Sequence, residues 1–232
     1  MHLPDTHRMN NGFAIVISFV YVFAVLGIAE VLRRALRLPV EFTRKVVHIG
    51  VGMWAFGTAA LFSDKWFAII PPLVFVALNY LSYRRALFTA METGDKSNLG
   101  TVYFPIAFAA IIALFFDVSK PFMVAALMPL TWGDAFAAII GRRYGRRHYA
   151  LFAQRSVEGS AAMFGCSFLS AGGALLAFGA PFGVALATAL LMALFAALVE
   201  AVSPAGLDNL LVPASSALVY PLLIPLLGPL AS

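Results

Sequence analysis

Residues 120–147 read KPFMVAALMPLTWGDAFAAIIGRRYGRR. Between a lysine and a run of arginines lies Pro121–Ile140, a stretch whose one charged residue is Asp134. A helix needs roughly 20 mostly apolar residues to cross the hydrocarbon core of a bilayer. Basic residues at its ends belong at the interface. The rest of the chain repeats the pattern: 62% of residues are hydrophobic, 12% are charged, and the mean hydropathy is +0.90. A water-soluble fold with that composition would expose large apolar patches. The reading is therefore an all-α, polytopic integral membrane protein.

Eight apolar runs qualify as spans: Gly12–Leu32, Val46–Phe62, Trp66–Tyr83, Thr101–Phe116, Pro121–Ile140, Ser160–Phe178, Pro181–Val199 and Leu210–Leu230. The fourth is short. The eighth contains Pro213, Pro221, Pro225 and Pro229, which remove backbone donors and kink or break a helix. About seven to eight transmembrane helices are expected, in a single transmembrane domain over residues 1–232. Lys and Arg sort strongly between the loops. Arg33, Arg34, Arg37, Arg44, Lys45, Arg84, Arg85, Lys96, Arg142, Arg143, Arg146, Arg147 and Arg155 fall on one side, against Arg8, Lys65 and Lys120 on the other. The positive-inside bias places loops 33–45, 84–100, 141–159 and 200–209 in the cytoplasm. The net charge of +5 is explained by topology, so nucleic acid is not an expected partner. The N-terminal MHLPDTHRMN lacks the order of a signal peptide, so the first apolar run reads as a permanent helix. The single cysteine, Cys166, excludes an intrachain disulfide and reads as packing.

The chemistry-bearing residues gather in the cytoplasmic loops and the adjoining helix ends. Asp134 lies at membrane depth, where a carboxylate costs several kcal/mol unless paired, hydrated or metal-bound. Ala138 and Gly141 share its helical face, which a ligand or another backbone could approach closely. Gly141-Arg142-Arg143-Tyr144-Gly145-Arg146-Arg147-His148 suits phosphate oxygens through charge-assisted contacts, although taken alone it is better read as an ordinary topogenic cluster. Arg155-Ser156-Val157-Glu158-Gly159-Ser160 enters the next helix, whose free N–H groups and dipole make either a phosphate seat or an ordinary cap. Glu200 closes the seventh span, and Asp208-Asn209 opens the eighth. Upstream, Glu41 precedes Arg44, Lys45 and His48, which share one face at i,i+3 and i,i+4 spacing. The loop Glu92–Gly100 falls on the same side. Acidic and amide groups beside arginines in one compartment suit a metal–nucleotide site.

The ordered set Glu41-x-x-Arg44-Lys45-x-x-His48-x-Gly50, Gly133-Asp134-x-x-Ala137-x-x-x-Gly141-x-x-x-Gly145, Arg155-Ser156-x-Glu158-Gly159-Ser160, Glu200 and Asp208-Asn209 resembles the CTP-dependent lipid-alcohol kinases. These include the dolichol, polyprenol, phytol and yeast-type diacylglycerol kinases. The resemblance covers about residues 40–215, with Arg155 where the commonest form has lysine. The middle block is also similar to phosphatidate cytidylyltransferases, but Ala153-Gln154 stands where those commonly carry Ser-Pro. The Arg44-Lys45-x-x-His48 block is typical of the kinases.

The resemblance implies transfer of the γ-phosphoryl of CTP to the hydroxyl of a membrane lipid alcohol, with Mg²⁺. Asp134, Glu158 and Asp208 would be catalytic. Gly141, Arg142, Arg143, Gly145, Arg155, Ser156, Gly159 and Ser160 would bind nucleotide. Lys45 and His48 would meet the lipid head or a phosphate, and Asp134, Glu200, Asp208 and Asn209 the metal. The expected setting is the cytoplasmic (inner) membrane, with the site facing the cytoplasm. The partners are the bilayer, CTP and the lipid alcohol, and a homodimer is compatible with the reading. A cytidylyltransferase acting on a lipid phosphate is the alternative, and a small transporter a third.

Overall fold

The computed structural model describes residues 10–85, 99–204 and 206–227. Most of the 84–100 loop, with Glu92 and Lys96, lies outside the described residues, as do Arg8 and the tail beyond Leu227.

Among the described residues, every apolar run of the sequence is helical. Helix α1 (Asn11–Leu36) starts on the Asn10 side chain, which accepts from the Gly12 amide at 2.8 Å. The second run is two helices, α2 (Val40–Gly52) and α3 (Trp54–Leu61). Helix α4 (Lys65–Arg85) carries Pro71 and Pro72, and α5 (Gly100–Phe115) carries Pro105. The decisive stretch forms one continuous rod. It runs from α6 (Lys120–Met128) through a π-helical segment (Pro129–Asp134) into α7 (Ala135–Tyr144). Then come α8 (Val157–Ala177), α9 (Phe182–Val202), α10 (Asp208–Ala217) and α11 (Val219–Leu227).

Five of these units are long and apolar enough to cross a membrane: α1, α4, the α6–π–α7 rod, α8 and α9. The remaining runs are helical but short or broken. The fourth is only 16 residues long, and the eighth divides at Leu218. The sixth run begins at Val157, three residues before the expected Ser160, because Ser156 caps it. Ahead of it the chain makes a short antiparallel hairpin, β1 (His148–Ala150) with β2 (Gln154–Ser156), where a plain loop was expected.

The α6–π–α7 rod is the axis of the bundle. Phe122, Val124, Leu127 and Leu130 are fully buried in it, and Met163 and Leu175 of α8 and Met192 of α9 pack in the same core. Helices α8 and α9 approach closely because their facing residues are small: Ala171 and Ala174 on one, Ala185, Ala189, Ala193 and Ala196 on the other. Small residues permit tight helix contact in lipid, where apolar packing replaces the hydrophobic drive.

Large apolar side chains are exposed along the helices, and several carboxylates are buried between them. Leu186, Leu190, Leu194 and Leu198 form an exposed stripe along α9, while Asp134, Glu200, Asp208 and Asn209 are buried. This inversion of the soluble pattern suits a hydrocarbon surrounding.

Candidate active site

The first cluster joins α2 to the π segment. Lys45 and His48 lie one turn apart on α2, so both side chains reach the same neighbour. Lys45 Nζ is 2.6 Å from Asp134 Oδ2, and His48 Nε2 is 3.4 Å from the same oxygen. His48 Nε2 donates to the Leu130 carbonyl at 2.7 Å. That acceptor lies in the π-helical segment. Asp134 thus sits at depth as an ion pair. An uncompensated carboxylate there would be far more costly.

The second cluster is organised by Arg155. Its Nη1 lies 3.0 Å from Glu200 Oε1 and its Nη2 lies 2.9 Å from Asp208 Oδ2, so one planar fork holds two buried carboxylates. Nη2 also donates to the Ser203 carbonyl at 3.4 Å. Asn209 Nδ2 donates to Asp208 Oδ1 at 3.0 Å, and the Asn209 amide donates to the same oxygen. Ser160 reaches Glu200 Oε2 at 3.5 Å and meets the Tyr149 hydroxyl at 2.6 Å. Burial pushes the Asp208 carboxyl up from its ordinary value. The Asp134 charge pushes the same way, and Arg155 pulls it back. The π segment that carries Asp134 packs against α9 and α10, which carry Glu200 and Asp208, so the two clusters form one polar centre at one end of the bundle.

The glycines expected at a nucleotide loop make room for backbone here. A Cβ on Gly141 would lie 3.1 Å from Ser156 Oγ, and one on Gly159 would lie 3.0 Å from the Ala137 carbonyl. The small face of α7 thus receives the start of α8. Ser156 Oγ accepts from the Gly159 amide at 3.1 Å and caps that helix. Glu158 accepts from the Arg146 and Arg147 amides at 3.1 and 3.4 Å, which ties the arginine turn over the helix start. Arg142 pairs with Glu41 at 2.7 Å, and the Arg143 guanidinium lies over the Tyr144 ring.

The structure brings Lys45, His48, Asp134, Arg155, Ser160, Glu200, Asp208 and Asn209 into the centre. It sets Gly141, Arg142, Arg143, Gly145, Ser156, Glu158 and Gly159 around the α7–α8 turn at its edge. Among the described residues, no group of three or more His, Cys, Asp or Glu side chains is arranged to hold a metal alone. Mg²⁺ in phosphoryl-transfer sites needs only one or two carboxylates, with phosphates and water completing its shell. Glu200 and Asp208 supply two buried carboxylates of that kind, both held here by the Arg155 guanidinium.

Three participants were not legible in the sequence. Tyr149 reads as part of a basic loop, and only the hairpin register, which sets it opposite Arg155, brings it to Ser160. The Leu130 carbonyl is a backbone group, which no side-chain pattern marks. Asn79 lies inside the Trp66–Tyr83 run, and its Nδ2 donates to the Thr101 carbonyl at 2.8 Å. Its polarity inside an apolar run was the available signal.

No family model matches the chain. The chain is 32% identical over 211 residues to the phytol kinase of Synechocystis sp., covering 89% of each chain. It is 27% identical over 173 residues to a probable chloroplastic phytol kinase of Triticum aestivum, covering 69% of this chain and 57% of that one. It is 25% identical over 180 residues to the chloroplastic farnesol kinase of Arabidopsis thaliana, covering 72% and 58%. No solved structure matches.

Proposed function

The chain belongs to the lipid-alcohol kinase family that includes phytol and farnesol kinases, and we propose that it phosphorylates an isoprenoid alcohol with CTP at the cytoplasmic face of the inner membrane. That it is a kinase acting on an alcohol follows from the family. The donor, the acceptor and the orientation are the proposed part. The observation that carries it is the meeting of Lys45, His48 and Asp134 with Arg155, Glu200 and Asp208 at one end of an apolar bundle. There a membrane-held hydroxyl and a cytoplasmic nucleotide can reach the same carboxylates.

In the reaction, the alcohol oxygen forms a bond to the γ-phosphorus. The bond from that phosphorus to the β-phosphate oxygen breaks, and CDP leaves with the electron pair. Phosphoryl transfer asks for positioning and neutralisation of charge more than covalent chemistry. Asp134 accepts the hydroxyl proton, with Lys45 holding its carboxylate in place. Arg155, and the arginine turn tied down by Glu158, meet phosphate oxygens with charge-assisted donors. Glu200, Asp208 and Asn209 would hold Mg²⁺ together with the nucleotide phosphates. The ion, when bound, supplies neutralisation of charge developing on the β- and γ-oxygens. The span count proposed is seven to eight, with the short and broken helices completing the bundle.

The test is a matrix of donors and acceptors. Purified protein in lipid nanodiscs is offered CTP, ATP, GTP or UTP, each with phytol, farnesol, a dolichol or diacylglycerol. Phosphorylation of phytol or farnesol with CTP, lost on chelation by EDTA, is the expected result. Transfer from ATP alone, or to diacylglycerol alone, overturns the donor or the acceptor assignment respectively.

A further inference from the structure

A cavity of about 870 Å³, its open mouth included, lies between α1, α2–α3, α4 and α5 and ends against the polar centre. Each helix gives it one face. On α2–α3, His48, Val51, Trp54 and Thr58 recur at helical spacing; on α5, Thr101, Phe104, Phe108 and Ile112 do the same.

The cavity is polar at one end and apolar at the other. His48 and Arg44 lie toward the start of α2, and Thr101 lies at the start of α5. Asn79, near the far end of α4, bonds Thr101, so α4 runs in the opposite direction. Asn209 joins them from the start of α10. Ala68, Thr58 and Ile112 lie at the other end of these helices. Thr101 to Ile112 spans about 16 Å along the helix axis. Two polar groups at the head end have capacity to spare. His48 uses Nε2 as a donor to Leu130, which leaves Nδ1 as the acceptor of the neutral ring. Asn79 Oδ1 is buried and has no hydrogen-bond partner. A buried acceptor without a donor is costly, and a bound hydroxyl relieves it.

We propose that this cavity is the acceptor site, holding the hydrocarbon chain of a single-chain isoprenoid alcohol with its hydroxyl at His48 and Asn79 beside Asp134. The inference rests on the kinase reading for the identity of the alcohol. The cavity is lined mainly by aliphatic and aromatic side chains, which suit an acyclic hydrocarbon chain. Ala68 and Ile112, at the deep end, set the length of chain accepted.

Two measurements on the full chain in nanodiscs test this. In the first, an isoprenoid alcohol with a diazirine at the tail end is photolysed with the wild-type protein. Labelling around Ala68 and Ile112 that phytol suppresses is expected. Labelling confined to the lipid-facing stripe of α9, unaffected by phytol, overturns the site. In the second, Ala68→Phe shortens the cavity, and the ratio of kcat/KM for phytol over farnesol should fall about tenfold, the scale on which apolar pockets discriminate chain atoms. An unchanged ratio in a variant that still turns over refutes the length assignment. If the wild type phosphorylates no alcohol, the kinase reading fails, and the photolabel still judges the cavity on its own.

Discussion

Asp134 carries two burdens that substitution can separate. It neutralises Lys45 across 2.6 Å in a buried setting, and it is assigned the hydroxyl proton. Removing one partner of a buried pair costs about 3–5 kcal/mol, whereas replacing both is often nearly neutral. Asp134→Asn and Lys45→Met should each lower Tm in detergent, and the double variant should recover most of the loss. Turnover should remain depressed by a factor on the order of 10² or more in both variants lacking the Asp134 carboxylate. Recovery of activity along with stability in the double variant would make Asp134 purely structural. Glu158 calls for a different outcome. Its carboxylate holds the Arg146 and Arg147 amides, so Glu158→Ala should raise the KM for nucleotide about tenfold while kcat changes less. A kcat loss at unchanged KM would instead make Glu158 a catalytic residue. That Lys45, His48, Asp134, Arg155, Glu200 and Asp208 matter was legible in the sequence, because charge in an apolar chain stands out. Their pairing was not. Arg155 read as a phosphate ligand, but it also bridges Glu200 and Asp208, residues 45 and 53 positions away, and local spacing cannot encode such a contact.

Helices were read well wherever hydropathy was uniform, and boundaries were missed where backbone detail decided. Nothing in the apolar pattern marks the π-helical turn at Pro129–Asp134, since a change of hydrogen-bond register leaves composition untouched. The hairpin His148–Ser156 was hidden because its strands are three residues each, too short for an alternating pattern to emerge. Sidedness is testable at this scale. Lys65 pairs with Asp117, and Lys120 donates to the Ala59 and Phe62 carbonyls. These contacts involve the short connections between α3 and α4 and between α5 and α6, remote along every helix from the arginine turn. In a Cys166→Ala background, Arg146→Cys and Lys65→Cys should react with an impermeant thiol reagent from opposite faces of sealed vesicles. Labelling of both from one face contradicts the assigned topology.

For the whole molecule, hydropathy revealed the membrane habit and the Lys/Arg bias suggested the sidedness. The cavity was invisible, because it is made where α1, α2–α3, α4 and α5 turn their faces inward and the prolines of α4 and α5 line it. On the proposed reading, this bundle brings a lipid hydroxyl in line with the terminal phosphorus of a nucleotide. Cytidylyl transfer to a lipid phosphate would use similar parts: carboxylates, arginines and a metal. The two reactions differ in the phosphorus attacked. The most direct measurement follows CTP radiolabelled at either the α- or the γ-phosphorus, with phytol as acceptor and chromatography of lipid and nucleotide products. The account predicts labelled lipid from γ-labelled CTP only, with the α label recovered in CDP. Label in the lipid from α-labelled CTP, with release of pyrophosphate, would contradict it.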